Sequence, residues 1–214
     1  MCRIPGVIGA IDCTHVRVFV SKQREDSFYN RKGYTSLNIQ AACDQNFKFV
    51  HAYAHWTGRT HDSFILKQSK LYDDFENRRQ KGLFLGDSGY GNGRFWLLTP
   101  YLNPVTQAEK LYNYKHKSTR VVIENAFGQM KRRFRGVLEG FRTTPEKSQT
   151  AIVAAMILHN IAKERHQPDS FDDSKPEDFL PDSDSTAPLI SEDQQNFHDG
   201  KLFRDHVVQK FFSD

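Results

Sequence analysis

Three carboxylates, Asp12, Asp87 and Glu124, stand where packing alone gives an acid little reason to be. Asp12 closes the short, β-branched apolar run Gly6–Asp12 (GVIGAID), and Asp87 closes a second such run, Gly82–Asp87 (GLFLGD). An unpaired buried carboxylate costs several kcal/mol, so an acid at the end of each run asks for a partner. Runs this short suit neighbouring parallel strands, and α/β proteins place their sites at sheet ends. Glu124 is the one acid in the basic stretch Arg120–Arg135. Brought together, the three acids would repel and need cations. Hard oxygen donors without a nearby pair of thiols or imidazoles select Mg²⁺ or Mn²⁺. Two such ions about 3.5–4 Å apart activate a water or a 3′-hydroxyl and stabilise the leaving oxygen of a phosphodiester. Asp12, Asp87 and Glu124 are then metal ligands, with Asp12 placed to bridge both ions. Arg120, one turn before Glu124, would orient a phosphate or neutralise the cluster. Plainer uses exist: Asp12 as a turn acceptor in Asp12–His15, and Glu124 as a surface ion-pair partner.

The elements that must position these acids can be read in order. Gly6–Asp12 is a central strand ending at Asp12, with Val16–Val20 extended beyond it. Leu37–Cys43 and Phe47–His55 form a hairpin through Asp44, Gln45 and Asn46. Asp62 opens a helical pattern and is expected to cap it; its other reading is a further metal carboxylate. Phe95–Thr99 is a strand stopped by Pro100, and Tyr101–His116 a loop. Arg120–Arg135 reads as one helix. Ile123, Phe127, Met130, Phe134 and Val137 form its buried stripe, and Arg120, Lys131, Arg132, Arg133 and Arg135 its basic face. After Pro145 a last long helix spans Glu146–Arg165, with Ile152, Ala155, Leu158 and Ile161 or Ala162 inward, and His159 a hydrogen-bonded core residue.

Charge is divided unevenly. The net charge is +4, but residues 167–214 hold four basic and twelve acidic side chains, and residues 1–166 hold 26 basic and 14 acidic. A basic body suits a polyanion. Tyr29–Tyr34 interleaves Arg31 and Lys32 with aromatics, a composition that clamps phosphates and stacks on bases, or simply a solvated Gly turn. Residues 167–193, rich in Asp, Ser and Pro, are expected to be disordered. Phe197–Phe212 is expected to form a short helix that docks on the body or on a partner. No apolar run reaches transmembrane length, and no cleavage site marks a signal peptide. Three cysteines without CxxC spacing suit a reducing compartment. Cys13 with His15 has half the ligands of a zinc site and no second pair.

The segments GVIGAIDCTH, YNRKGYTSLNIQAACD, THDS at Thr60–Ser63, FLGDSGY, WLLTPY, RVVIENAFGQMKRRFR and ILHNIA fall in one order across Gly6–Ala162. In types and order they resemble the PIF/Harbinger class of DDE transposases and the Harbinger transposase-derived nucleases. The resemblance implies an α/β, RNase H-like fold over residues 1–166. In it the first three strands are antiparallel, two more run parallel to the first, and helices cover both faces. It implies that Asp12, Asp87 and Glu124 match the D, D and E of the active site. It implies divalent-metal-dependent cleavage or strand transfer on DNA, in the nucleus or also the cytoplasm. Arg31, Lys32, Arg120, Lys131, Arg132 and Arg135 are the candidates for DNA contact. Two departures stand out. The helix-turn-helix region that precedes the first catalytic strand in the family is not in this chain, so a separate protein partner is expected to supply DNA recognition. Cys13 also stands where the family usually has Gly. The other functional reading is a non-catalytic derivative that binds DNA or protein.

Overall fold

The computed structural model describes residues 4–91, 93–168 and 194–213. Five strands make one mixed sheet: β1 (Val7–Arg17), β2 (Ser36–Cys43), β3 (Phe49–Thr57), β4 (Leu83–Leu85) and β5 (Leu97–Leu98), in the order β3-β2-β1-β4-β5. β1, β2 and β3 pair antiparallel, and β4 and β5 run parallel to β1. This is the α/β, RNase H-like arrangement that the sequence resemblance implies. The hairpin turn forms as read: Asp44 Oδ1 accepts from the backbone of Asn46 (2.8 Å) and Lys48 (3.0 Å).

Alternation along β1 and β2 divides the core in two. On one face Ala10, Val16, Leu37, Ile39 and Ala41 pack under two long helices, α4 (Gln107–Arg133) and α6 (Pro145–Glu164). On the other, Ile11 and Ala42 pack with Phe84, Trp96 and Leu97 beneath two short helices, α2 (Asp62–Lys67) and α3 (Lys70–Glu76). A short helix α1 (Glu25–Phe28) lies in the β1–β2 connection, and α5 (Arg135–Glu139) follows α4.

Several boundaries differ from the sequence reading. β1 does not end at Asp12 but runs on to Arg17, because β2 pairs with it residue for residue from Ala10 to Arg17. Residues 107–116 are helix, not loop. Thr106 and Glu109 form a capping box, Thr106 Oγ1 accepting from the Glu109 amide and the Glu109 carboxylate from the Thr106 amide. The basic helix stops at Arg133, so Arg135 belongs to α5. In α6, Ile152, Ala155, Met156, His159 and Ala162 point inward, while Leu158 and Ile161 are exposed. His159 is the hydrogen-bonded core residue expected, its Nε2 2.9 Å from Phe47 O.

The expected disorder of residues 167–193 falls almost wholly outside the described residues. The helix near the C-terminus is present as α7 (Gln194–Phe212), and it docks on the body against α4 and β5. Val207 and Val208 are buried there. The buried Arg204 guanidinium lies 3.8 Å from the centre of the Tyr101 ring and donates to Pro100 O at 3.0 Å. Gly200 touches the body so closely that an added Cβ would sit 2.5 Å from Gly93 O. Among the described residues no helix is long and apolar enough to cross a membrane.

Candidate metal centre

The site opens where β4 stops. β4 pairs with β1 only as far as Ala10 opposite Leu85. Beyond that point β1 keeps β2 on one side and leaves its other edge uncovered, and Asp12 projects there, 17 % exposed. The chain leaving β4 turns at Asp87, whose Oδ1 accepts from Gly89 N at 2.9 Å and caps a single 3₁₀ turn. Asp62 arrives from the opposite face of the sheet as the first residue of α2.

Asp62 does not cap that helix. His61 holds the cap position without a side-chain bond, and Asp62 Oδ1 instead accepts from Asn38 Nδ2 at 2.9 Å. Asn38 is on β2, so a sheet residue aims this carboxylate away from its own helix. As a result Asp12, Asp62 and Asp87 each offer a carboxylate oxygen, and the three oxygens lie within 4.8 Å of one another.

Glu124 stands outside that group, one guanidinium away. Arg120 Nη1 donates to Asp12 Oδ2 at 2.5 Å, and Arg120 Nη2 donates to Glu124 Oε1. Both acids on this face of the sheet are therefore held by one arginine. Burial works against the Arg120 charge, but Asp12, Glu124 and Asp87 outweigh it and hold its pKa up. Asp12 shows the strain of the arrangement: burial first, then the charges of Asp87 and Asp62, push its pKa up to about 8, against the pull of Arg120 and of the Cys13 amide. One arginine does not balance this much negative charge.

The surroundings are polar and fixed. Tyr90 Oη lies 3.4 Å from Cys13 Sγ and 3.3 Å from Gln40 Nε2. Burial, then the Asp62 charge, raise the Cys13 pKa well above its usual value, so it stays a thiol and is a poor ligand. His15 Nδ1 is 3.0 Å from Ser36 Oγ, and among the described residues neither Cys13 nor His15 belongs to a group of three or more possible metal ligands. The buried oxygens Asn38 Oδ1 and Gln40 Oε1 have no hydrogen-bond partner among the described residues. Clustered carboxylates, an acid whose proton is held to about pH 8 and orphaned acceptor oxygens beside them form a donor set that fits a hard divalent cation.

The basic candidates part ways. Arg120 lies in the acidic cluster. Lys131 does not face solvent: it is 9 % exposed, with Nζ donating to Thr14 Oγ1 (2.7 Å) and His15 O (3.1 Å). It follows the buried Phe127 by four positions, so it flanks the apolar stripe rather than opposing it. Arg132 and Arg135 are exposed, Arg135 paired with Glu139 at 2.5 Å. Arg31 and Lys32 are exposed, and Arg31 Nη2 lies 3.1 Å from His61 Nδ1, next to Asp62. Asn38, Gln40 and Tyr90 were not marked by the sequence reading. Asn38 and Gln40 carry a signal of their own, two amides in the otherwise apolar run Leu37–Cys43 of β2.

Fold and site together define a class: an RNase H-like domain with an acid cluster where its first and fourth strands part. Comparison with known proteins narrows it. Residues 11–160 match the family described as DDE superfamily endonuclease, and the chain belongs to that family. It is 39% identical over 165 residues to the "Putative nuclease HARBI1" of Bos taurus and equally to that of Homo sapiens, a match covering 75% of this chain and 47% of each relative. It is 26% identical over 178 residues to "Protein ALP1-like" of Arabidopsis thaliana, covering 74% of this chain and 43% of that one. The chain spans about half the length of the curated relatives it matches. No solved structure matches it.

Proposed function

We propose that this domain is the catalytic part of a divalent-metal-dependent DNA endonuclease of transposase descent. The observation that carries the reading is the convergence of Asp12, Asp62 and Asp87, from three separate segments, to within 4.8 Å. Bound there, a pair of Mg²⁺ or Mn²⁺ ions would supply an activated water or 3′-hydroxyl and charge stabilisation for the leaving oxygen. Asp12 from β1 and Asp87 from the turn after β4 would hold the ions. Asp62 supplies a further oxygen, fixed by Asn38. Glu124 on α4, held by Arg120, would complete the set if that bond opened, and the guanidinium would then be at hand for a phosphate oxygen. Arg31 and Lys32 on one flank, Arg132 in the last turn of α4 and Arg135 at the start of α5 are exposed cations suited to the DNA backbone. A DNA substrate favours the nucleus as its place of work.

The test is Mn²⁺-dependent nicking of supercoiled plasmid. Asp87→Ala is expected to reduce nicking to background while the circular dichroism spectrum and Tm stay near wild type. Nicking that survives this change contradicts the reading. An intact domain that binds DNA but takes up no metal would support a non-catalytic binding derivative instead.

A further inference from the structure

The outer edge of the sheet beside the metal centre carries a cluster of rings that the catalytic reading does not use. β3 is the outermost strand. Trp56 on it is the hub: Phe64 meets it edge-on at 5.0 Å and 86°, Tyr53 at 6.4 Å and 80°, His55 at 6.1 Å and 83°. Phe64 is 47% exposed and His55 is exposed, although both large cores of the domain lie close by. The exposed Arg59 and the Arg31–His61 pair lie in the segments that flank these rings.

This cluster is tied to the acids by two direct links. Trp56 is the sheet partner of Asn38, and Asn38 is the residue that holds Asp62. Phe64 follows Asp62 by two positions in α2, about 3 Å along the helix axis. A strand with its phosphodiester at the carboxylates would therefore reach the rings within a few nucleotides, at about 3.4 Å per stacked step. Phe64 and His55 are exposed, and Trp56 and Tyr53 are half-buried beside them. Rings open on one side and edged by cations suit unpaired bases, whose faces are free to stack while the cations hold the backbone. Duplex does not suit them, because its base faces are already covered.

We infer that Trp56, Phe64, Tyr53 and His55 form a stacking platform for unpaired bases of a DNA strand entering or leaving the metal centre. The inference rests on the nuclease reading for its substrate and adds to it the state of that substrate: melted or single-stranded next to the cut.

The test uses the intrinsic fluorescence of the full chain in EDTA, so it does not depend on metal or cleavage. The chain has two tryptophans. Trp96 is 1% exposed, with its Nε1 bonded to Glu76, so Trp56 is the reporter. A dT12 oligonucleotide is expected to quench the emission saturably, and a blunt 12-base-pair duplex to bind without that quench. Phe64→Ala is expected to weaken dT12 binding about five- to hundredfold at unchanged Tm. Trp56→Phe is expected to remove the quench and keep most of the affinity. DNA binding without quench, or with affinity untouched by Phe64→Ala, overturns the platform and leaves the nuclease reading standing. Failure to bind any DNA overturns both. Quenching that appears on concentrating the protein alone, and is lost in Phe64→Ala, assigns the patch to a second copy and also overturns the platform.

Discussion

Arg120 Nη1 donates to Asp12 Oδ2 at 2.5 Å across 108 positions of chain, tying α4 to the middle of β1. The same side chain holds Glu124, so one cation joins two of the acids to which the nuclease reading assigns metal. Arginine and metal therefore compete for the same oxygens.

Arg120→Gln removes that cation. Loss of one partner leaves partly buried negative charge behind, and the expected cost without metal is about 2 kcal/mol, between that of an exposed and a fully buried pair, or roughly 4–8 °C in Tm. Mn²⁺ is expected to raise the Tm of Arg120→Gln by more than it raises that of wild type. Thermal melts with and without metal check this, and equal shifts count against competition.

Asp62 and Glu124 are expected to fail differently. Asp62 already lies in the cluster, so Asp62→Asn should weaken Mn²⁺ binding about tenfold, a loss of about 1.4 kcal/mol. Glu124 faces Arg120, so Glu124→Gln should leave the first metal's affinity within a factor of a few and abolish nicking. Calorimetric titration of both variants, paired with the plasmid assay, separates the two roles.

Metal binding should release a proton from Asp12. Its pKa is pushed up to about 8 by burial and by Asp87 and Asp62, whereas the metal needs the carboxylate. Between pH 6.5 and 8 the affinity is expected to climb by up to tenfold per unit. In the metal-free protein a raised folded-state pKa means stability is lost as pH rises toward 8. Asp12→Asn should flatten both trends.

His116 works in the opposite direction. Burial lowers its pKa to about 4, and its Nε2 lies 3.0 Å from Leu98 O. The unfolded chain takes up the proton first as pH falls below about 6.5, so stability should drop between pH 6.5 and about 4, by up to about 3 kcal/mol. Urea melts of His116→Gln should lose this part of the slope.

Gly200 decides whether α7 docks. In an exposed helix Gly→Ala gains about 1 kcal/mol. Here the added Cβ would sit 2.5 Å from Gly93 O, a backbone atom that cannot swing aside. Gly200→Ala is therefore expected to destabilise by about 1–3 kcal/mol, read as a lower Tm.

The sheet was readable because its apolar runs are bounded by turn residues such as Asp44 and Pro100, and because seven ordered segments resemble one family. The apolar run stops at Asp12, so the sequence reads as a strand ending there. Backbone pairing with β2 ignores that change in side-chain type and carries the strand on to Arg17. The sequence leaves Asp62 between cap and ligand, since the deciding contact, Asn38, comes from a strand 24 positions away. Lys131 reads as part of the basic face by its charge, although it stands four positions after the buried Phe127 and so on the flank of the stripe. Its long side chain instead reaches Thr14 and the His15 carbonyl, a contact set by how α4 crosses β1. The docking of α7 depends on a gap of glycine size against Gly93, which no periodicity records.

Anomalous diffraction from crystals soaked in Mn²⁺ tests the central claim most directly. The expected result is a peak about 2–2.5 Å from carboxylate oxygens of both Asp12 and Asp87, with the Arg120 guanidinium withdrawn from Asp12. Crystals that show no peak within reach of Asp12, with Arg120 still paired to it at saturating metal, would contradict a metal-dependent centre here.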